Sequence, residues 1–183
     1  MLSFMGRRGF GSVARAGANP RVFLEVSAGE NTLGRMSIEL FSDKVPQTAE
    51  NFRSLCAGDN DKQLSYKGTP FTRIFEGFCA QGGDVCKKNG TGNTSIYGER
   101  FPDEDLQSRH NQAGLLTMHN TGPNSNGSQF YITFGEASWL DGYHTVFGKV
   151  VEGFEVMSAL NEAGHSRDGT PTVDYVISDC GLE

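Results

Sequence analysis

The feature that most constrains the fold is a series of short strand-like runs separated by glycine- and asparagine-rich stretches. Arg21–Ser27 (RVFLEVS) and Arg35–Phe41 (RMSIELF) alternate with period two, the pattern of a half-buried strand, and Gly29–Gly34 supplies a turn between them. Shorter runs follow at Phe71–Phe75, Gly114–Met118, Phe130–Phe134, Thr145–Val151 and Val173–Ser178. Between them lie loops such as Gly82–Gly98 (GGDVCKKNGTGNTSIYG) and Asn120–Gly127 (NTGPNSNG), so that glycine takes 24 of 183 positions, against a usual share of about 7%. Two segments carry helical spacing instead. Pro46–Ala57 has proline in the first turn, where its missing N–H costs nothing, and Gly58 beyond its end; Ala49, Phe52 and Cys56 share one face. Val151–Ala163 places Phe154, Met157 and Leu160 inward and ends at Gly164. Many short strands plus two amphipathic helices predict a mainly β chain: a closed antiparallel barrel whose ends the helices cover. No internal repeat, linker or second domain is evident.

Charge excludes several classes of function. Sixteen Lys and Arg stand against 22 Asp and Glu, a formal charge of −6. Nucleic acid and anionic lipid both want a basic field, so neither is an expected partner. No run approaches the roughly 18 apolar residues of a membrane span. The distribution is uneven, however. Residues 1–20 hold Arg7, Arg8 and Arg15 and no carboxylate, so the remainder carries 13 basic residues against 22 acidic, or −9. On a helical projection Leu2, Met5, Val13 and Ala16 fall on one face and the arginines gather opposite, with Phe4 out of place among them. Such a terminus reads as a mitochondrial transit peptide over residues 1–19, ahead of a domain over 20–183. A docking arm for a larger assembly, on a cytoplasmic protein, is the alternative.

Familiar catalytic and metal sites find little support. Cys56, Cys79, Cys86 and Cys180 form no C-x-x-C pair, and His110, His119, His144 and His165 show no paired ligand spacing, so neither a metal nor a cofactor is expected. No G-x-S-x-G elbow is present. Asp103–Asp105 reads as a solvated acidic loop.

Three segments carry a different signal: Phe71–Asp84 (FTRIFEGFCAQGGD), Asn120–Phe130 (NTGPNSNGSQF) and Trp139–Val150 (WLDGYHTVFGKV). In order and spacing they resemble the cyclophilin family of peptidyl-prolyl cis-trans isomerases. The resemblance extends from Pro20 to Glu183, including AENF at Ala49–Phe52 and the terminal DCG. It implies a closed eight-stranded antiparallel β-barrel capped by two helices, and catalysis of X–Pro bond rotation in peptides and folding proteins.

That chemistry needs neither nucleophile nor metal. Resonance raises a rotational barrier of about 18–20 kcal/mol, and X–Pro isomerisation takes tens to hundreds of seconds uncatalysed. At the twisted transition state the proline nitrogen regains a lone pair, which a fixed cationic donor can bond only while the amide is twisted. By resemblance Arg73 is that donor, a role that suits a permanently charged fork better than a lysine. Gln81 orients the arginine and substrate, and Asn120 bonds the substrate backbone. Phe78, Tyr131, Leu140 and His144 line the proline pocket with Trp139 on its rim. Proline-containing peptides and protein clients are the implied partners, together with a cyclosporin-type ligand.

The chain departs from the family at three positions: Cys79 where most members have methionine, His119 where alanine is usual, and Tyr131 in place of the pocket-floor phenylalanine. Cys79 and His119 would also touch a cyclosporin-type ligand. Isomerase activity with an altered peptide preference is the expected consequence. The contrasting reading is a cyclophilin-fold docking subunit with weak or no activity. By resemblance, too, Cys56 and Cys180 match positions paired in some redox-regulated relatives, against the simpler expectation of two unpaired thiols.

Overall fold

The computed structural model describes residues 17–165 and 167–183. The amphipathic pattern over residues 1–16 lies outside the described residues. Strand β1 (Arg21–Ala28) pairs antiparallel with β2 (Asn31–Leu40). Only Gly29 and Glu30 separate Ala28 from its partner Asn31, and Gly29 takes a positive φ of 56°. The turn is therefore shorter than the predicted Gly29–Gly34, because a bulge at Val26/Ser27 absorbs the irregular residues into the ladder.

Helix α1 (Pro46–Ala57) matches its predicted bounds and buries Ala49, Phe52, Leu55 and Cys56. Gly58 ends it in the left-handed conformation at φ 70°. Val45 cannot cap the other end. Instead Glu104 accepts hydrogen bonds from the N–H groups of Gln47 (3.1 Å) and Thr48 (2.7 Å) and from the Thr48 hydroxyl (2.6 Å). The segment read as a solvated acidic loop is thus in part a remote helix cap, placed where the dipole favours a carboxylate.

Strands β3 (Arg73–Phe75), β4 (Cys79–Gly82), β5 (Leu115–Met118), β6 (Phe130–Thr133), β7 (Val146–Glu152) and β8 (Tyr175–Leu182) complete one antiparallel sheet, ordered β3-β4-β6-β5-β7-β2-β1-β8. A 3₁₀ turn, Ser138–Leu140, precedes β7, and helix α2 (Phe154–Glu162) follows it. Helix α2 starts later than the predicted Val151. Val151 and Glu152 stay in β7, and Gly153 turns the chain at φ 81°. A Cβ on Gly153 would sit 2.1 Å from the Arg35 carbonyl oxygen, so only glycine fits. Val156 and Leu160 are buried, whereas Phe154, predicted to face inward, is half exposed.

The sheet curls through 243° and remains open, which corrects the expected closed barrel. Its end strands β3 and β8 form no ladder with each other. The gap is spanned by the irregular segment before β3, through Gly68 N–H to Ile177 O (2.7 Å), Ile177 N–H to Thr69 O (2.9 Å) and Phe71 N–H to Tyr175 O (2.8 Å). Pro70 sits in the middle of that segment and has no N–H to give, so no regular strand can form there.

Inside the curl, Phe52 packs 4.9–5.1 Å from the rings of Tyr66, Phe147 and Phe130. Tyr66 satisfies its buried hydroxyl on Ser128 O at 2.7 Å. All four cysteines are free thiols, and no helix among the described residues is long and apolar enough to cross a membrane.

Candidate active site

The pleat of the sheet assembles the site. Register partners Ile74, Ala80, Ile132 and Leu116 run across β3, β4, β6 and β5 and are fully buried in the core. The neighbouring row, one residue along each strand, must therefore face outward. That row is Arg73–Gln81–Tyr131–Thr117. Four residues from distant stretches of sequence thus lie side by side on the outer face, and Cys79, two residues from Gln81, shares it.

A cavity of about 270 Å³ opens over this row, lined by Arg73, Gln81, His119 and Tyr131 together with Asn89, Gly90 and Thr91. Gln81 is nearly buried and donates through Nε2 to Gln129 Oε1 at 3.0 Å. Gln129 in turn donates to the Gly90 and Gly92 carbonyls at 3.1 and 2.7 Å, tying the glycine-rich loop to the sheet. The arginine-orienting role assigned to Gln81 has no direct hydrogen bond behind it here; the two residues meet as cross-strand partners.

The loop has its own organiser. Asp84, fully buried, accepts backbone N–H bonds from Cys86 (3.2 Å), Lys87 (2.9 Å), Asn89 (3.2 Å), Gly90 (2.9 Å) and Gly92 (3.0 Å). Burial alone would raise its pKa, but these bonds outweigh it and bring the carboxyl down to about 2. Gly92 is obligatory, since a Cβ there would lie 2.1 Å from Asp84 Oδ1.

Beyond β5, His119 and Asn120 border the row. Tyr131 lies edge-on between two imidazoles, 5.6 Å from His119 and 5.8 Å from His144 by ring centroids. His144 donates from Nδ1 to Met118 O at 2.8 Å, because a carbonyl can only accept, and this fixes its tautomer. The Asn120 side chain is committed, with Nδ2 on Tyr143 O and Oδ1 accepting from Gly122 N–H. Its own main-chain N–H and C=O make no hydrogen bond among the described residues. Phe78 packs 5.2 Å from Trp139, which is 61% exposed, while Leu140 in the same turn is buried. The structure therefore gathers Arg73, Gln81, His119 and Tyr131 around one cavity, sets Cys79 and His144 beside Tyr131, and pairs Phe78 with Trp139 next to Leu140. Gln129 and the Asp84 loop were not singled out from sequence: a glutamine inside a motif and an aspartate after two glycines carry no periodic signal.

The electrostatics are simple. Burial, then His144 and Arg73, hold His119 below the usual histidine range. Burial lifts Tyr131 to about 12, reinforced by Cys79 and opposed by Arg73, and lifts Cys79 to about 12. At neutral pH these three groups are uncharged, and no thiolate nucleophile is available. Arg73 is exposed, and among the described residues no carboxylate lies within ion-pair distance of it. The site presents one unneutralised, permanently charged donor above a polar cavity.

Comparison with known families agrees with this arrangement. A family model described as cyclophilin-type peptidyl-prolyl cis-trans isomerase matches residues 23–182, from β1 through β8. The chain belongs to the cyclophilin-type peptidyl-prolyl cis-trans isomerases.

Proposed function

We propose that this chain accelerates X–Pro rotation in peptides and protein clients by donating from Arg73 to the proline nitrogen as the amide twists. The supporting observation is the Arg73 guanidinium itself, unpaired and in register with Gln81 and Tyr131 over a cavity that holds no second charge. A planar amide nitrogen has its lone pair in resonance with the carbonyl and accepts poorly, whereas the twisted nitrogen accepts well. The donor thus favours the transition state over either ground state. Asn120 holds the peptide through its main chain, and Phe78, Leu140, Trp139 and His144 form the walls against which proline rests.

His119 adds bulk and polarity where alanine would stand, Tyr131 adds a hydroxyl to the pocket floor, and Cys79 is smaller than the methionine it replaces. Activity persists with a changed preference for the residues flanking proline, and a cyclosporin-type ligand meets the same altered wall. Cis-to-trans relaxation of short X–Pro peptides tests both points. The wild-type chain is expected to accelerate relaxation, and His119→Ala to shift the ratio of kcat/KM between peptides with bulky and small flanking residues by about tenfold. Family-level turnover with no change in that ratio would remove the selectivity claim. Absence of turnover by the folded wild type would favour the docking-subunit reading, which a large native complex in cell extract would support and a free 20 kDa species would oppose.

Residues 1–19 are proposed as a mitochondrial targeting segment. Fusion to a reporter is expected to deliver it to mitochondria, and charge reversal at Arg7, Arg8 and Arg15 to abolish delivery. Diffuse cytoplasmic reporter in both cases would support the docking-arm alternative.

A further inference from the structure

One buried histidine lies outside the machinery described so far. His110 is completely buried in the segment before β5, yet every polar atom it carries is engaged, and its bonds reach both ends of the Ser138–Leu140 turn. Its carbonyl accepts from Ala137 N–H at 2.8 Å, just before the turn. Its N–H and its ring Nδ1 both meet Asp141 Oδ1, at 2.7 and 2.8 Å, just after it. Its Nε2 lies 2.9 Å from Thr117 Oγ1, and Thr117 is the last member of the outward row Arg73–Gln81–Tyr131–Thr117.

The protons can be placed. A carboxylate only accepts, so Nδ1 carries a hydrogen. The Thr117 hydroxyl has one hydrogen and two acceptors in reach, the Thr145 carbonyl at 3.1 Å and His110 Nε2 at 2.9 Å, and a neutral ring takes that hydrogen on Nε2. A neutral ring thereby has both nitrogens satisfied, in keeping with the downward shift that burial imposes against the opposing Asp141 charge.

We propose that His110 is a positioning residue for peptide binding, locking the turn that carries Trp139 and Leu140 to the strand row that carries Arg73. Arg73 and Trp139 come from sequence segments more than 60 residues apart, and neither Trp139 nor Leu140 makes a side-chain hydrogen bond to the row. Trp139 touches Phe78 but is 61% exposed, so packing restrains it weakly. The His110–Asp141 bond supplies the missing restraint. This inference rests on the reading of Trp139 and Leu140 as part of the peptide site.

Trp139 is the sole tryptophan, so its fluorescence reports the turn directly. Asp141 is one-third exposed and stands outside the apolar core. In the full chain, Asp141→Ala is expected to raise KM for an X–Pro peptide about tenfold with kcat held within about twofold. The fast local component of the Trp139 anisotropy decay should about double in amplitude. Asp141→Asn keeps an acceptor for the His110 N–H and should remain within about twofold of wild type in both readouts. Should Asp141→Ala fail to fold, Asp141→Glu, which displaces the carboxylate by one methylene, carries the same expectations. Unchanged KM and unchanged anisotropy in these variants would overturn the clamp. If the wild type itself lacks turnover, the isomerase reading fails separately, and the anisotropy still decides whether His110 holds the turn.

Discussion

Arg73→Ala is expected to lower kcat/KM for X–Pro peptides by about 10²–10³-fold, the usual loss when a single transition-state donor is removed. Most of that loss should fall on kcat, because the planar ground-state amide gains little from the guanidinium. Arg73→Lys should recover only a small part, since an ammonium is a strongly hydrated point charge without the planar fork. Folding should be unaffected: Arg73 is exposed, and its core neighbours Ile74 and Ala80 point the other way. Stability curves that match wild type, together with the kinetic loss, separate a catalytic role from a structural one.

Asp84→Asn has the largest expected effect on stability. The carboxylate serves five backbone N–H groups, and an amide has one acceptor oxygen in place of two. The expected loss at neutral pH is about 2–3 kcal/mol, the scale of charge-assisted hydrogen bonds to buried donors. The wild type should show a matching pH signature. The Asp84 pKa lies near 2 when folded, below its ordinary 3.8, so the unfolded chain binds the proton more readily. Its contribution of about 2 kcal/mol is complete above pH ~4 and disappears as pH falls toward 2. Denaturant melts at pH 5, 3 and 2 should show that acid loss in the wild type and a flatter profile in the variant. Gly90 and Thr91 line the cavity beside Arg73, so the variant should also raise KM.

Much of the fold was legible because two periodicities were. The limits of α1 followed from Pro46 and Gly58, each of which has a single favourable place at a helix end. Alternation marked β1 and β2, and short strand-like runs marked β3, β5, β6, β7 and β8. Strand β4 was hidden, because Cys79–Gly82 has small or amide side chains on both faces and no contrast for a period-two reading to detect. The start of α2 was misjudged because Val151 and Glu152 fit a helical face equally well. Only the close approach of Gly153 to the Arg35 carbonyl, a tertiary contact, decides where the strand ends. Closure of the sheet likewise turned on Pro70.

The site divides along the same line. Arg73, Gln81 and Tyr131 were named through resemblance, and the sheet register brings them together. Gln129 and His110 act through hydrogen bonds that span 48 and 31 residues, and Asp84 gathers N–H groups 2–8 residues along its own loop with no periodicity, so no local pattern announces them. The Trp139 turn shows the difference most clearly. Its residues were named from a motif, while what holds it lies in His110, read from sequence as an unpaired histidine.

Arg73 is expected to bind the twisted amide and not the substrate as such. Exchange NMR on an X–Pro peptide at equilibrium tests it most directly, because binding and cis–trans interconversion are read from one sample. Wild-type protein is expected to produce cis–trans exchange cross-peaks at mixing times far shorter than the uncatalysed tens of seconds. Arg73→Ala should bind the same peptide with Kd within about threefold and produce none. Cross-peaks of undiminished intensity from Arg73→Ala, or their loss in proportion to lost binding alone, would contradict the account.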